Sequence, residues 1–464
     1  FSDVLINAGG LIDNTIASSY SVSGNFQNDG AINAGTGIYS FTGIGKTFSG
    51  TISIPSVAVT GTYINNGVLS VSTALSGTGV LTQGIGSTLN IGGSVTIITL
   101  DANSSGNTIV YNSSVANQDV LATNYRNLSI DKAGRIANLL GPITVNGNLT
   151  LTNGTLNDAG FQISGNPTGV FTMTAGTSLT IGTAASPTTF PSGFTNGNIS
   201  LNNASTVTYS SDLAQTVSGV PAYGNLSLTS TVGVTKTLSG ATTINGNINI
   251  GTNNTLADGG FTLTVKGNAV NNGTYSGAGK IYFNGGTVSH TITGANPTWG
   301  NIELDDILGA SWSATGTTSI TGNLTVTNGT LTAGVFNTAL IVSGNTTVSG
   351  TLSFTSATGT KTFNNIIVNS TGAFNVTVAE AFSVNGNVQN DGLFNANTGV
   401  YTLAGAGKTI SGVNDVSIPS LTFAVTSSYT NNGTVNINTA LAGTGSLTQG
   451  LNAVLNLGGT IAAG

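Results

Sequence analysis

Apolar and polar residues alternate in short runs along the whole chain. Leu149-Thr150-Leu151-Thr152, Leu226-Ser227-Leu228-Thr229 and Thr262-Leu263-Thr264-Val265 are examples. A period of two sends successive side chains to opposite faces, so these runs predict short, half-buried β-strands. Asn-Gly, Gly-Asn, Gly-Gly and Gly-Thr dipeptides stand between them and supply the positive-φ corners that tight turns need. No capped stretch with a helical period occurs. The pattern predicts an all-β protein.

The strands belong to repeats. Residues 1–40 and 363–402 align at an offset of 362, which carries on through GIGKTFSG (43–50) and GAGKTISG (405–412). After short insertions the offset becomes 366, matching residues 72–84 to 438–450. The domain reading is therefore one long repeat unit over 1–362 and the start of the next over 363–464. A smaller motif lies inside: an aromatic residue, Asn or Asp two places later, then Gly-Asn at a nearly constant interval. It occurs as Phe1-Asp3 with Asn25, Tyr125-Asn127 with Asn148, Tyr223-Asn225 with Asn247, Trp299-Asn301 with Asn323, and Phe363-Asn365 with Asn387.

That interval, ~22 residues, suits one coil of a parallel β-solenoid, or β-helix. Such a stack lengthens coil by coil, and uncharged Asn, Thr, Ser and Val suit like-on-like stacking. At ~4.8 Å per coil the chain would rise roughly 100 Å. Tandem Ig-like β-sandwiches are the alternative. The uneven distances between aromatic markers count against them. A transmembrane barrel also alternates, but girdle aromatics are too few.

Composition narrows the function. Only 5% of residues are charged, against about 25% in ordinary globular proteins. Hydrophobic residues make up 38%, enough for a long core. Nine Lys and Arg over 464 residues leave no basic patch for nucleic acid. With no Cys there are no disulfides or thiolate metal sites. No run of ~18 apolar residues is present, so this segment is not expected to insert in a membrane. No signal peptide opens the chain, and both ends are read as lying within something larger.

One stretch resembles a known kind of repeat. Residues 205–268 carry Tyr209, Gln215, Tyr223, Asn225, Lys236 and Asn245-Gly246-Asn247 in the order found in repeats of very large secreted surface proteins of Bacteroidota. The likeness is looser in 107–166 and 286–345. It implies export to the cell surface, often by type IX secretion, and roles in adhesion, gliding or biofilm. The sorting domain that such proteins usually carry at the C-terminus is not in this chain.

Candidate chemistry is sparse. The single His290 lies in TVSH, which aligns with TVTY ending at Tyr209 and TIVY ending at Tyr111, so it reads as a stacked ring rather than a general base. Glu303 and Asp305 would share one strand face, as an acid pair or a Ca²⁺ site requires, with Asp306 beside them. The internal copies hold Ser129, Asp131 and Lys132, or Ser227, Thr229 and Ser230 there, which reads as a solvated face. Lys46 and Lys408 lack the spacing of a phosphate loop and read as recurrent corner positions. Trp299 aligns with core aromatics, whereas Trp312 has no counterpart and is a candidate for ligand contact. No catalytic, cofactor or metal residue is assigned.

The expectation is a non-enzymatic, extracellular structural segment of a surface fibre or adhesin. Its partners would be neighbouring repeat units, with self-association through strand edges, and glycans or other cell surfaces. The alternatives are a glycan-binding or ice-binding β-solenoid and, behind these, a polysaccharide-cleaving β-helix enzyme.

Overall fold

The computed structural model describes residues 1–463. The chain forms two compact units: Phe1–Gln215 with Val220–Asn225, and Thr216–Gly219 with the residues from Leu226 onward. Each is a parallel β-solenoid. The described residues make about 23 coils, and 57% of the chain is strand. The start of the second long repeat, Phe363, lies inside the second unit.

A coil of the first unit has three strands, such as Val4–Ile6, Leu11–Asp13 and Tyr20–Val22. Each pairs parallel with its successor one coil on: Val4 with Phe26, Leu11 with Ala31, Tyr20 with Tyr39. The second unit repeats the plan, with ladders running Leu226–Ile248–Ala269, Thr235–Thr255–Thr274 and Leu263–Ile281–Ile302. Coil length is not constant. It is short where Lys46 pairs with Tyr63 and long where Phe171 pairs with Ile199. Loops and bulges at the corners absorb the difference, with register shifts such as those between Ile130 and Ile136 and between Ile54 and Ser56.

Alternation then builds the core. Inward residues at every second strand position are buried, as in Thr-Val-Thr-Tyr at 206–209 and Lys-Ile-Tyr-Phe at 280–283. Rings stack from coil to coil: Phe48 on Tyr63 at 4.8 Å between centroids and Phe374 on Phe394 at 4.9 Å. Burying each such ring contributes roughly 1.5–3 kcal/mol.

The aromatic-x-Asn and Gly-Asn motif now has a physical cause. The Asn carboxamide sits at a corner and its Oδ1 accepts the backbone N–H of the residue one coil on. Asp3 receives Asn25 N–H (2.6 Å), and Asn25 receives Thr47 N–H (3.1 Å). Asn127 receives Asn148 N–H (2.9 Å), Asn301 receives Asn323 N–H (2.9 Å), and Asn323 receives Asn345 N–H (2.8 Å). Each bond satisfies a donor where the chain leaves its ladder, worth about 1 kcal/mol. The Gly before each Asn is required by that approach. A Cβ on Gly322 would lie 2.4 Å from Asn301 Oδ1, and one on Gly386 would lie 2.3 Å from Asn365 Oδ1.

The long repeat is reproduced in its contacts. The Asp3–Asn25–Thr47 series recurs as Asn365–Asn387–Thr409, with bonds of 2.7 and 2.9 Å. Tyr63 Oη donates toward Val22 O and Gly24 O, both at 3.0 Å, and accepts from Gly43 N–H. Tyr429 Oη does the same with Val384 O, Gly386 O and Gly405 N–H.

Candidate functional site

The strand Lys280–Phe283 pairs in register with Asn301–Asp305, which pairs with Leu324–Asn328. Alternation turns Lys280, Tyr282, Glu303 and Asp305 outward together. Glu303 and Asp305 thus share a face as their spacing predicts. Coil stacking adds a cation that sequence proximity did not offer. Lys280 Nζ lies 2.5 Å from Glu303 Oε2 and 4.7 Å from the centroid of the Tyr282 ring. Thr327 Oγ1 donates to Glu303 Oε1 (2.8 Å), Tyr282 Oη donates to Asp305 Oδ2 (2.5 Å), and Asn328 Nδ2 donates to Asp305 Oδ1. The hydrogen bond to Asp305, and then burial, raise the Tyr282 hydroxyl above its ordinary pKa. All four carboxylate oxygens are engaged by the chain's own donors. The pair is part of a hydrogen-bonded network across three coils.

Asp306 departs from this face. The alternation that buries Ile302 and Leu304 also turns Asp306 inward, where it is buried. There it meets His290. His290 Nδ1 lies 2.7 Å from Gly267 O, and Nε2 lies 3.1 Å from Asp306 Oδ2. Asp306 also accepts the N–H groups of Gly286 (2.7 Å) and Leu308 (2.9 Å). Burial alone would raise its pKa, but these two N–H groups and His290 hold it below the ordinary range. The His290 side chain is 0% exposed.

The expected place of His290 is corrected. The counterpart of the strand Thr108–Tyr111 is Lys280–Phe283, so Phe283 stands where Tyr111 does. His290 follows Phe283 at the same offset as Gln118 follows Tyr111, and both begin the next strand. Gln118 Nε2 donates to Ile91 O (2.7 Å) and Gly93 O (2.6 Å). Gln215 Nε2 donates to Ile181 O and Thr188 O, both at 3.1 Å. His290 is the same device: a buried polar side chain that ties a loop to the previous coil. Its ring meets Phe283 edge-on at 5.4 Å. His290→Gln is therefore expected to cost only about 1–2 kcal/mol in chemical denaturation, since Gln can still reach Gly267 O. His290→Leu is expected to cost about 3–5 kcal/mol, because Asp306 is left buried without its partner.

Lysines serve the same role. Lys132 is buried, and its Nζ donates to Ala116 O (2.7 Å) and Gln118 Oε1 (3.2 Å). Burial, helped by the nearby Arg135 charge, pushes its ammonium down to about 8. An unfolded Lys titrates near ~10.4, so between these values the unfolded chain binds more protons. This contribution to stability therefore grows as pH rises from about 8. Denaturation of the wild type and of Lys132→Met at about pH 7 and about pH 9.5 is expected to show that slope only in the wild type.

The tryptophans lie inside. Trp299 packs in the core as expected. Trp312, the candidate for ligand contact, is also buried, 6.3 Å from Trp299 and 5.7 Å from Phe336, both edge-on. In the strand Ala310–Ala314 the alternation puts Ser311 and Ser313 outward and Trp312 inward. Lys46 and Lys408 begin strands after the corners at Gly45 and Gly407, whose φ values are +66° and +64°. A strand follows each, where a phosphate loop needs a helix.

The clearest concavity lies in the first unit. The loop 112–117 lies beside Ser72 and Thr73, within the strand Val68–Ser76, and the corner at 92–93, and two adjoining grooves of about 430 and 450 Å³ run there. Ser72, Gly92, Ser113 and Val115 line both. No residue pattern had marked it, since its walls come from three separate coils. Among the described residues, no group of three or more His, Asp or Glu is placed to hold a metal ion. No family model, curated protein or solved structure matches the chain.

Proposed function

We propose that this chain is a structural repeat segment of an extracellular surface fibre or adhesin, with no catalytic role. One observation carries the reading. What the two copies of the long repeat keep in common is coil-to-coil contact: the Asp3 and Asn365 ladders and the Tyr63 and Tyr429 hydroxyl bridges. The stretch present in both copies thus keeps the means of stacking. Glu303, Asp305, Asp306 and His290 are engaged in internal bonds. The sparse charge leaves outer faces of Ser, Thr and Asn, which stay hydrated without repelling one another when copies lie side by side. The resemblance of 205–268 to repeats of secreted Bacteroidota surface proteins points the same way.

Labelling of intact cells of the source organism tests this, using antibody raised against the folded chain. Gold particles along surface filaments, without permeabilisation, are the expected result. Label confined to permeabilised cells would overturn the reading.

A further inference from the structure

The double groove of the first unit has the chemistry of a carbohydrate site. Its floor is the turn at Gly92-Gly93, where side chains are excluded. A Cβ on Gly93 would lie 1.9 Å from Thr73 O. The missing side chain at Gly93 lets this corner lie against the Thr73 backbone one coil back, and the Asn112 carboxamide lies beside it, its Oδ1 3.5 Å from the position of a Cβ on Gly92. Ser70 and Asn90 form one wall, joined by a 3.0 Å bond from Asn90 Nδ2 to Ser70 Oγ. Loop 112–117 forms the other, with Ser114 and Asn117 exposed and Val115 presenting an apolar lip. The loop is not left to hang free. Lys132 Nζ holds Ala116 O from inside the core, and Asn117 Oδ1 accepts Ile136 N–H at 3.1 Å.

The lining decides the ligand class. Hydroxyls and carboxamides both donate and accept, as sugar hydroxyls do. An apolar lip suits the C–H face of a pyranose. No Lys or Arg lines either groove, and Asp119 stands at the end of one. An anionic sugar would meet repulsion there and no counter-charge. The two grooves share four residues, so they adjoin and form one continuous depression. The volumes fall within the ~300–1,000 Å³ of small-molecule sites. We propose that this depression binds a neutral oligosaccharide. The inference does not rest on the fibre reading: a stiff structural segment with or without surface location would carry the same groove.

The test uses the whole chain in isothermal titration with four neutral probes, cellohexaose, maltohexaose, mannohexaose and xylohexaose, and with hexagalacturonate as the anionic control. Saturable binding of at least one neutral hexamer is expected, with none for hexagalacturonate. Asn112→Ala should weaken it about tenfold, and Ser72→Trp, at an exposed strand position shared by both grooves, should abolish it. Unchanged circular dichroism and an unchanged denaturation midpoint would show that both variants fold. Binding that survives Ser72→Trp, a preference for the anionic hexamer, or no binding of any neutral probe would each overturn the proposal. None of these outcomes bears on whether the chain lies on a surface fibre.

Discussion

Gly344→Ala is expected to destabilise the second unit by about 3 kcal/mol, at the upper end of what overpacking costs. Gly344 precedes Asn345 at a corner of the Asn ladder. A Cβ there would lie 2.3 Å from Gly322 O and 2.6 Å from Asn323 Oδ1. The first obstacle is backbone, so no rotamer change relieves it. The second is the carboxamide that accepts Asn345 N–H, so making room breaks the bond that defines the corner. The two coils must part locally, and the ladder from Leu324 to Thr346 loses its register. In a stack each coil touches mainly its neighbours, so the damage should be regional. Hydrogen exchange should quicken over about 317–370 while coils of the first unit keep their protection. Gly233→Ala, where a Cβ meets nothing within 4 Å, is the matched control and should change little.

Lys361→Met is expected to cost about 3–5 kcal/mol, the range for leaving one partner of a buried ion pair uncompensated. Lys361 Nζ lies 2.8 Å from Glu380 Oε2, and the two side chains are 0% and 1% exposed. Nζ also donates to Ser356 O (3.0 Å), Thr358 O (2.8 Å) and Gly359 O (3.2 Å), closing the loop over the core. Phe354, Phe363, Phe374 and Phe382 pack around one another in the same coils, with Phe354 and Phe382 only 5.0 Å apart. A carboxylate stranded there has no water to turn to. Burial already raises the Glu380 pKa, even with Lys361 opposing that rise. Removing Lys361 should raise it further, so the folded variant holds its proton to higher pH than the unfolded chain. Its stability should then fall as pH rises through the carboxylate range and beyond, a trend opposite to that of Lys132. The double variant Lys361→Met/Glu380→Leu should recover a large part of the loss, and the double-mutant cycle measures the coupling. Equal losses in the single and double variants would mean that the three loop carbonyls, not the acid, are what Lys361 serves.

The parallel solenoid was legible because its holding contact is written in the sequence. An Asn at a corner reaches the N–H one coil on, so Asn301 and Asn323 must stand one coil apart, and the Gly before Asn323 must lack a Cβ. That leaves a spacing a reader can see. The variable coils were not legible, because a loop such as 112–117 takes up extra residues without disturbing any strand. Charge misled in a particular way. Lys132, Lys236 and Lys361 belong to a residue type that is almost never fully buried, yet all three are inside. Gln118, His290 and Lys361 share one offset from a buried aromatic ring, visible only once Phe283 and Phe354 are aligned with Tyr111. The Lys280–Glu303 pair joins positions a full coil apart, which only the register brings together.

Electron cryo-microscopy of the purified chain, carried to a resolution that separates strands, tests the central claim most directly. Stacked layers about 4.8 Å apart, one coil to a layer, with the Asn25, Asn323 and Asn387 side chains in rows at the corners, are the result expected. Antiparallel hairpins in sandwich modules of about 100 residues would contradict it, and with it the explanation for the Gly-Asn corners of the ladder.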